Sequence, residues 1–471
     1  CQQNPTEPTY HNNLGLSYFE RERFEDAMSS YEEAIKMEEE RCKDPNRSKE
    51  NLSFYHKNLG LALYHNNEME RALEEYGKAI ALNPENADNY FNRGNVKLNQ
   101  EEFDAAHEDF QQAIAHEGKN AKFYHAKGLA YQAEAEQIAR EGGDAFREKE
   151  LVNQAILFFQ LALTHCATFI SSMFHLGLMY RRTERFHEAL QEFSKVEQLL
   201  ENDKTIYIQK GLVYQDMGNH QFAIQDFQTA IAIEPDYALS HFHMGVSKLK
   251  SRLIREAIED FKQAEALDDN PAVYDGLGCC YHALRDFDEA IDHFNKAISQ
   301  KGGNIEFLKN RAQCYFDMGL FQEAINDLDT ALQLNERDPQ VLYKQGMAYF
   351  AFEKYKKCIK TMKAALQHNP FMTYEADIYY HLGLAYCRLQ KFEKSIFPYS
   401  RCIERIPSDL RYIHERAKAF QMIEEHAKAV ADFDVVIRKN PKNAHAYFRR
   451  AFSLKALKRY AEAVDDFEKA R

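Results

Sequence analysis

Tryptophan is absent from this chain, and only 19 glycines and 11 prolines are scattered through its 471 residues. So few turn-formers leave room for short connections only and argue against a β-rich fold, which is punctuated by turns at close spacing. No apolar run approaches the roughly 18 residues that a membrane-spanning helix needs. No leader-like sequence opens the chain. The nine cysteines are odd in number and irregular in spacing, and no Cys-x-x-Cys occurs. That pattern speaks against a disulfide framework and for a reducing compartment such as the cytoplasm. In that setting the sequons Asn46-Arg-Ser48 and Asn51-Leu-Ser53 carry no meaning. There is no glycine-rich phosphate loop, no His-Glu-x-x-His and no Gly-x-Ser-x-Gly. No nucleophile is placed beside a base, so the chain is expected to be non-enzymatic and to carry no cofactor or metal. Carboxylate runs such as Glu38-Glu39-Glu40 are expected on solvated helix faces.

What is present is apolar content of 45%, enough for a large core, and a lopsided charge. Residues 340–471 hold 25 Lys+Arg against 15 Asp+Glu, whereas residues 1–339 hold 35 against 58. Such polarity bears on partners rather than on fold.

A period of about 34 residues runs through the chain. Its anchors are Gly15, Gly60, Gly94, Gly128, Gly177, Gly211, Gly245, Gly278, Ala312, Gly346, Gly383, Ala417 and Ala451. Twelve residues after each anchor comes a small residue, such as Ala27, Ala72, Ala223 or Ala290; repeat four reaches Ala155 after an insertion. Four further comes a large apolar residue, such as Tyr76, Phe110, Phe193 or Phe294, and three further often an alanine, such as Ala79, Ala230 or Ala297. Proline closes several units, at Pro84, Pro235, Pro370, Pro407 and Pro441. Within a unit the apolar spacing predicts two helices, for example Tyr274–Leu284 and Phe287–Ile298. A glycine inside a helix costs about 1 kcal/mol relative to alanine. Ten of thirteen units accept it at the anchor, which implies helices crossing too closely for a β-carbon, with the alanine twelve residues on serving the same close approach.

This pattern resembles the tetratricopeptide repeat, carried here by Tyr274, Leu277, Gly278, Tyr281, Ala290, Phe294 and Ala297 and recurring thirteen times. The resemblance implies an all-α, right-handed α-solenoid superhelix of about thirteen helix pairs, one continuous array over residues 1–471. One helix pair cannot bury its own faces, so neighbours stack into a continuous core. In this register Cys280 takes a small packed position, and Cys279 faces the inner groove. The resemblance implies a scaffold that binds other proteins, as extended peptides or helices in the groove, within a larger cytosolic, cytoskeletal or ciliary assembly. The alternative is a substrate-recognition arm of an enzyme, glycosyltransferase-like, whose catalytic domain lies outside the chain. The chain starts at Cys1 rather than methionine and stops at the end of a repeat, so it is expected to be part of a longer protein.

Two candidate surfaces follow. Some members of this family carry an asparagine ladder two residues before each anchor, which can hydrogen-bond a peptide backbone. That line here includes Asn13, Asn58, Asn92, His175, Gln209, His243 and Asn310; the alternative is an ordinary polar groove. A clamp for a chaperone C-terminus does not match, since Lys57 is followed by Leu61 and Lys309 by Gln313. The second surface is basic: Lys354, Lys356, Lys357, Lys360 and Lys363 in repeat ten, with Lys391, Lys394, Arg401 and Arg405 in repeat eleven. It suits an acidic protein surface rather than nucleic acid, which the acidic chain as a whole would repel. Three irregularities remain. Segments are inserted at about 38–52 and 133–147, the second beginning as an extended helix and breaking at Gly142-Gly143. Pro398 falls inside the second helix of repeat eleven, where it predicts a kink or hinge.

Overall fold

The computed structural model describes residues 7–43, 49–368 and 374–471. Cys1, Asn46, Ser48 and Pro370 lie outside the described residues, as does part of the first inserted segment. The described residues form 26 helices in thirteen pairs, with no strand, from Pro8–Phe19 with Phe24–Arg41 in repeat one to Ala444–Ala456 with Tyr460–Lys469 in repeat thirteen. The helices predicted in repeat eight are found at Pro271–Ala283 and Phe287–Gln300. The chain divides after Asp236 into two compact units, of six and seven repeats.

Local chemistry sets the helix ends. Eight residues before the anchor an Asn or Asp caps many first helices: Asn86 accepts from the Asp88 N–H at 3.0 Å and Asp203 from the Thr205 N–H at 2.8 Å. Seven residues after the anchor, in twelve of the thirteen repeats, the chain takes a left-handed residue that ends the first helix. Only two of these are glycine, Gly218 and Gly319; the others include Glu22, Asn67, Arg252 and Lys458. In repeat one the Arg23 N–H reaches the Tyr18 carbonyl at 3.0 Å and the Glu22 N–H reaches Phe19 at 2.9 Å. This pairing satisfies carbonyls that the helix end would leave unpaired.

The anchor glycine has a more specific cause than a close helix crossing. Sixteen residues on, the large apolar side chain of the second helix lies directly over it. A β-carbon on Gly94 would sit 2.8 Å from a Phe110 ring carbon, and one on Gly211 2.6 Å from Phe227. Tyr31, Tyr399 and Met362 do the same over Gly15, Gly383 and Gly346. The alanine twelve residues on is buried, but the ring, not the alanine, excludes the β-carbon. These rings are the largest fully buried side chains and form the spine of each unit's core.

In both units the first helices of successive repeats touch: Pro8–Phe19 meets Glu50–His65, and Pro271–Ala283 meets Ile305–Asp317. Among the described residues no comparable contact joins successive second helices, so within each unit the array bends with its first helices inside.

The insertion in repeat four lengthens both helices, to Ala121–Arg140 and Ala145–His165, and the break falls at Gly142-Gly143 as expected. Three expectations are corrected. The second helix of repeat eleven, Phe392–Arg405, runs unbroken through buried Pro398, so no hinge interrupts it. Its ring takes a packed side-chain position, and the residue, lacking an N–H, cannot donate one helical hydrogen bond. Glu38 is buried, because the second helix of repeat one continues to Arg41 and turns Glu38 inward; Glu39 and Glu40 remain exposed. Cys279 does not lie open in a groove but packs half-buried against Ala290, Phe294 and Cys314. Burial raises its thiol pKa, and raises that of fully buried Cys280 to about 12, which leaves both unreactive at neutral pH. All described cysteines are free.

Candidate functional site

The expected ladder residues all sit on first helices, hence on the inner face, but three are already engaged. Asn58 is 6% exposed and donates its amide to Asn12 Oδ1 at 2.8 Å. The Asn310 amide donates to both Asp275 oxygens at 3.0 Å. His175 Nδ1 lies 3.0 Å from Gln132 Oε1, its ring stacks on Phe159, and burial lowers its pKa. Gln209 and His243 are half-buried, with the His243 ring edge-on to Phe242. Asn13 is exposed and Asn92 half-buried. In the second unit the inner face also holds an apolar slot of about 190 Å³, lined by Phe316, Leu328, Tyr343 and Met347 among others. Lys344 projects at its edge, its ammonium donating to Gln313 Oε1 at 2.9 Å. Burial and neighbouring Lys309 lower the Lys344 pKa.

A second network joins some of the repeats to one another. In four of them an arginine just before the anchor reaches a carboxylate fifteen residues after it. Arg93 pairs with Asp109, Arg311 with Asp327, Arg416 with Asp432 and Arg450 with Asp466, each through two hydrogen bonds of 2.6–2.9 Å. The same residue bridges back to the preceding repeat: Arg311 to Asn295, Arg416 to Ser400 and Arg450 to Asp434. Such a planar fork fixes the two helices and the previous repeat together. The sequence signal was Arg or Lys before the anchor with Asp at the sixteen-residue offset.

The basic surface of repeats ten and eleven stands out against this paired background. Lys354, Lys356, Lys357, Lys360, Lys363, Lys391 and Lys394 are all exposed. None of these seven makes an ion pair among the described residues. Three rest on rings instead: Lys354 on Phe352, Lys357 on Tyr349 and Lys363 on Tyr386. Arg401 and Arg405 differ, being neutralised by Glu404 at 2.6 Å and Glu375 at 2.8 Å. No group of three His, Cys, Asp or Glu side chains is placed to hold a metal among the described residues, and no described helix is long and apolar enough to cross a membrane.

Tetratricopeptide repeat family models match residues 8–41, 205–237, 242–305, 376–409 and 414–471, and a TPR repeat model matches 60–101, together more than half of the chain. The chain belongs to the tetratricopeptide repeat family. Residues 285–365 also match a model described as anaphase-promoting complex, cyclosome, subunit 3. Among curated proteins, human tetratricopeptide repeat protein 13 is 28% identical over 172 residues, 35% of this chain and 20% of that protein. A TPR repeat-containing protein of Methanocaldococcus jannaschii is 28% identical over 105 residues, 22% of this chain and 33% of that one. The chain thus spans no more than a third of either relative. Among solved structures, the APC/C hetero-tetramer Cut9-Hcn1 is 14% identical with a TM-score of 0.44, covering 98% of this chain and 96% of that one. Yeast Tom70 is 15% identical with a TM-score of 0.44, covering 92% and 97%. As a tetratricopeptide repeat array, this chain is of the kind that scaffolds protein–protein interaction.

Proposed function

We propose that this scaffold, itself without catalytic activity, docks an acidic protein surface on the lysine face of repeats ten and eleven. The supporting observation is the set of seven exposed lysines without carboxylate partners among the described residues, in a chain whose other exposed charges are commonly tied into pairs three or four residues apart. Unpaired like charges on one face repel one another, and an acidic partner relieves that repulsion. The acidic surface of a cytoskeletal or ciliary assembly is one such partner. The inner face supports a second contact, in which an extended segment lies along the first helices with an apolar side chain in the Phe316–Met347 slot and a carboxylate near Lys344. Because Asn310 is engaged internally, this contact in the second unit rests on the slot and Lys344 rather than on an unbroken asparagine ladder.

The test is binding to a poly-glutamate peptide, with wild-type protein compared to Lys356→Glu/Lys357→Glu/Lys360→Glu/Lys363→Glu. The charge reversal should weaken binding at least tenfold at low salt, and the difference should shrink toward 0.5 M salt as screening shortens to a few ångströms. Equal affinity for both proteins at low salt would refute the reading.

A further inference from the structure

Repeat eleven, like several others with an apolar residue before the anchor, lacks the bridge just described, and here a cleft remains. In repeats nine, twelve and thirteen an arginine before the anchor spans from the preceding second helix to the carboxylate of its own. In repeat eleven those three positions hold Lys363, Leu382 and Pro398. Leucine cannot bridge and proline offers no acceptor. A cleft of about 540 Å³ results, with Leu366, Tyr379, Leu382, Tyr386, Phe397 and Pro398 as its apolar lining and Lys363 and Lys394 among its charged residues. Its walls are the second helices Tyr355–His368 and Phe392–Arg405 and its floor is the first helix Glu375–Arg388. Because first helices lie inside the bend, the cleft opens on the outer face, away from the inner groove.

Repeat eight shows what such a cleft needs. Register for register, Lys262, Tyr274, Leu277 and Tyr281 match Lys363, Tyr379, Leu382 and Tyr386. There the protein fills the space with its own ring: His293 stacks on Tyr281 at 5.3 Å and on Tyr274 at 6.4 Å. The residue matching His293 in repeat eleven is Pro398, too small to reach between the two tyrosines. The rim changes as well. Glu265, Glu289 and Asp292 of repeats seven and eight become Leu366, Lys394 and Phe397. Phe397 is 65% exposed, with Tyr379 edge-on to it at 6.4 Å.

We infer that the outer cleft of repeat eleven receives an aromatic side chain from an acidic segment of a partner protein. The ring enters between Tyr379 and Tyr386, where repeat eight keeps His293, and covers Phe397. Carboxylates flanking that ring meet Lys363 and Lys394, neither of which has an acidic partner among the described residues. The inference rests on the acidic-partner reading above but adds an anchor that charge alone does not supply. Buried aromatic anchors dominate such contacts because a ring that leaves water for an apolar cleft removes a large apolar area from solvent.

The test uses two labelled peptides of the same glutamate-rich sequence, one with a central phenylalanine and one with alanine, against wild-type protein and Pro398→His. The substitution copies repeat eight, supplies a ring that fills the cleft from within and restores a backbone N–H to the helix. Wild type should bind the phenylalanine peptide at least tenfold more tightly than the alanine peptide. In Pro398→His that preference should vanish, while the salt-dependent binding common to both peptides persists. Equal binding of the two peptides by wild type, with lysine-dependent binding intact, overturns the aromatic anchor and leaves the acidic-partner reading standing. Failure of both peptides to bind overturns both. Self-association of the protein alone that is lost in Pro398→His would assign the cleft to a second copy and overturn the proposed occupant.

Discussion

Removing Asp327 should open repeat nine locally while leaving distant repeats intact. Arg311 and Asp327 are 18% and 10% exposed, joined by hydrogen bonds of 2.8 and 2.6 Å, and Arg311 also donates to Asn295 at 2.6 Å. Truncation to alanine strands a guanidinium in a poorly hydrated site. Breaking a fully buried pair costs about 3–5 kcal/mol, and partial exposure lowers this to about 2–3 kcal/mol. At roughly 0.1 kcal/mol per residue, a 34-residue repeat contributes about 3 kcal/mol of stability, so the loss is of the same size. In a stacked array it falls on one repeat and its neighbours rather than on the whole chain. Native-state hydrogen exchange reads this directly. Protection of the helices Ile305–Asp317 and Phe321–Leu334 should fall about 30- to 150-fold in Asp327→Ala, since each 1.4 kcal/mol is a factor of ten. The double variant Arg311→Met/Asp327→Leu should recover most of that protection, because an apolar pair leaves no stranded charge. A loss below threefold in the single variant, or a double variant as weak as the single, would refute the bridging role.

Three further outcomes follow from the geometry. His125 lies between Phe159, Phe169 and His175, and burial, together with His175, lowers its pKa to about 4. The folded form therefore stays neutral where the unfolded chain takes up a proton near pH 6.5. The unfolded state binds more protons in that window, so the first unit should lose stability as pH falls from about 6.5 to about 4 and level off below. His125→Gln should flatten this slope in pH-dependent melting, and an unchanged slope counts against the assignment. Glu184→Gly relieves a left-handed non-glycine residue, at φ 59, and should stabilise repeat five by about 0.5 kcal/mol after the entropy cost of glycine, measured by exchange protection. Cys279→Ala/Cys280→Ala should leave peptide binding unchanged and lower stability by about 1–2 kcal/mol, since the pair is packing rather than chemistry; loss of binding in a well-folded variant would contradict this.

The repeat, the thirteen helix pairs and the extended hairpin of repeat four were legible in the sequence because they rest on period and composition. Two layers were not. The ring over most anchor glycines was visible as a residue sixteen positions on, yet its role needed three dimensions: Gly211 reads as a close helix crossing until Phe227 is seen lying over it. The Arg–Asp bridges were hidden for a related reason. Asp327 and Asp432 look like solvated face residues by helical periodicity, and their partners lie on a different helix. Asn58 and Asn310 were expected to be open to ligands, but adjacent first helices approach closely enough for Asn12 and Asp275 to use them. Pro398 looked like a hinge because interior proline normally ends a helix; instead it is buried within an unbroken helix at the register position of His293 in repeat eight.

The most direct test of acidic docking is zero-length carbodiimide cross-linking of a glutamate-rich peptide to the protein, with the joined lysines located by mass spectrometry. The chemistry links only amines and carboxylates already in contact. Cross-links should concentrate on Lys354, Lys356, Lys357, Lys360, Lys363, Lys391 and Lys394 and fade as salt is raised. Cross-links spread evenly over the protein's other exposed lysines, such as Lys36, Lys119 and Lys301, would contradict a dedicated docking face.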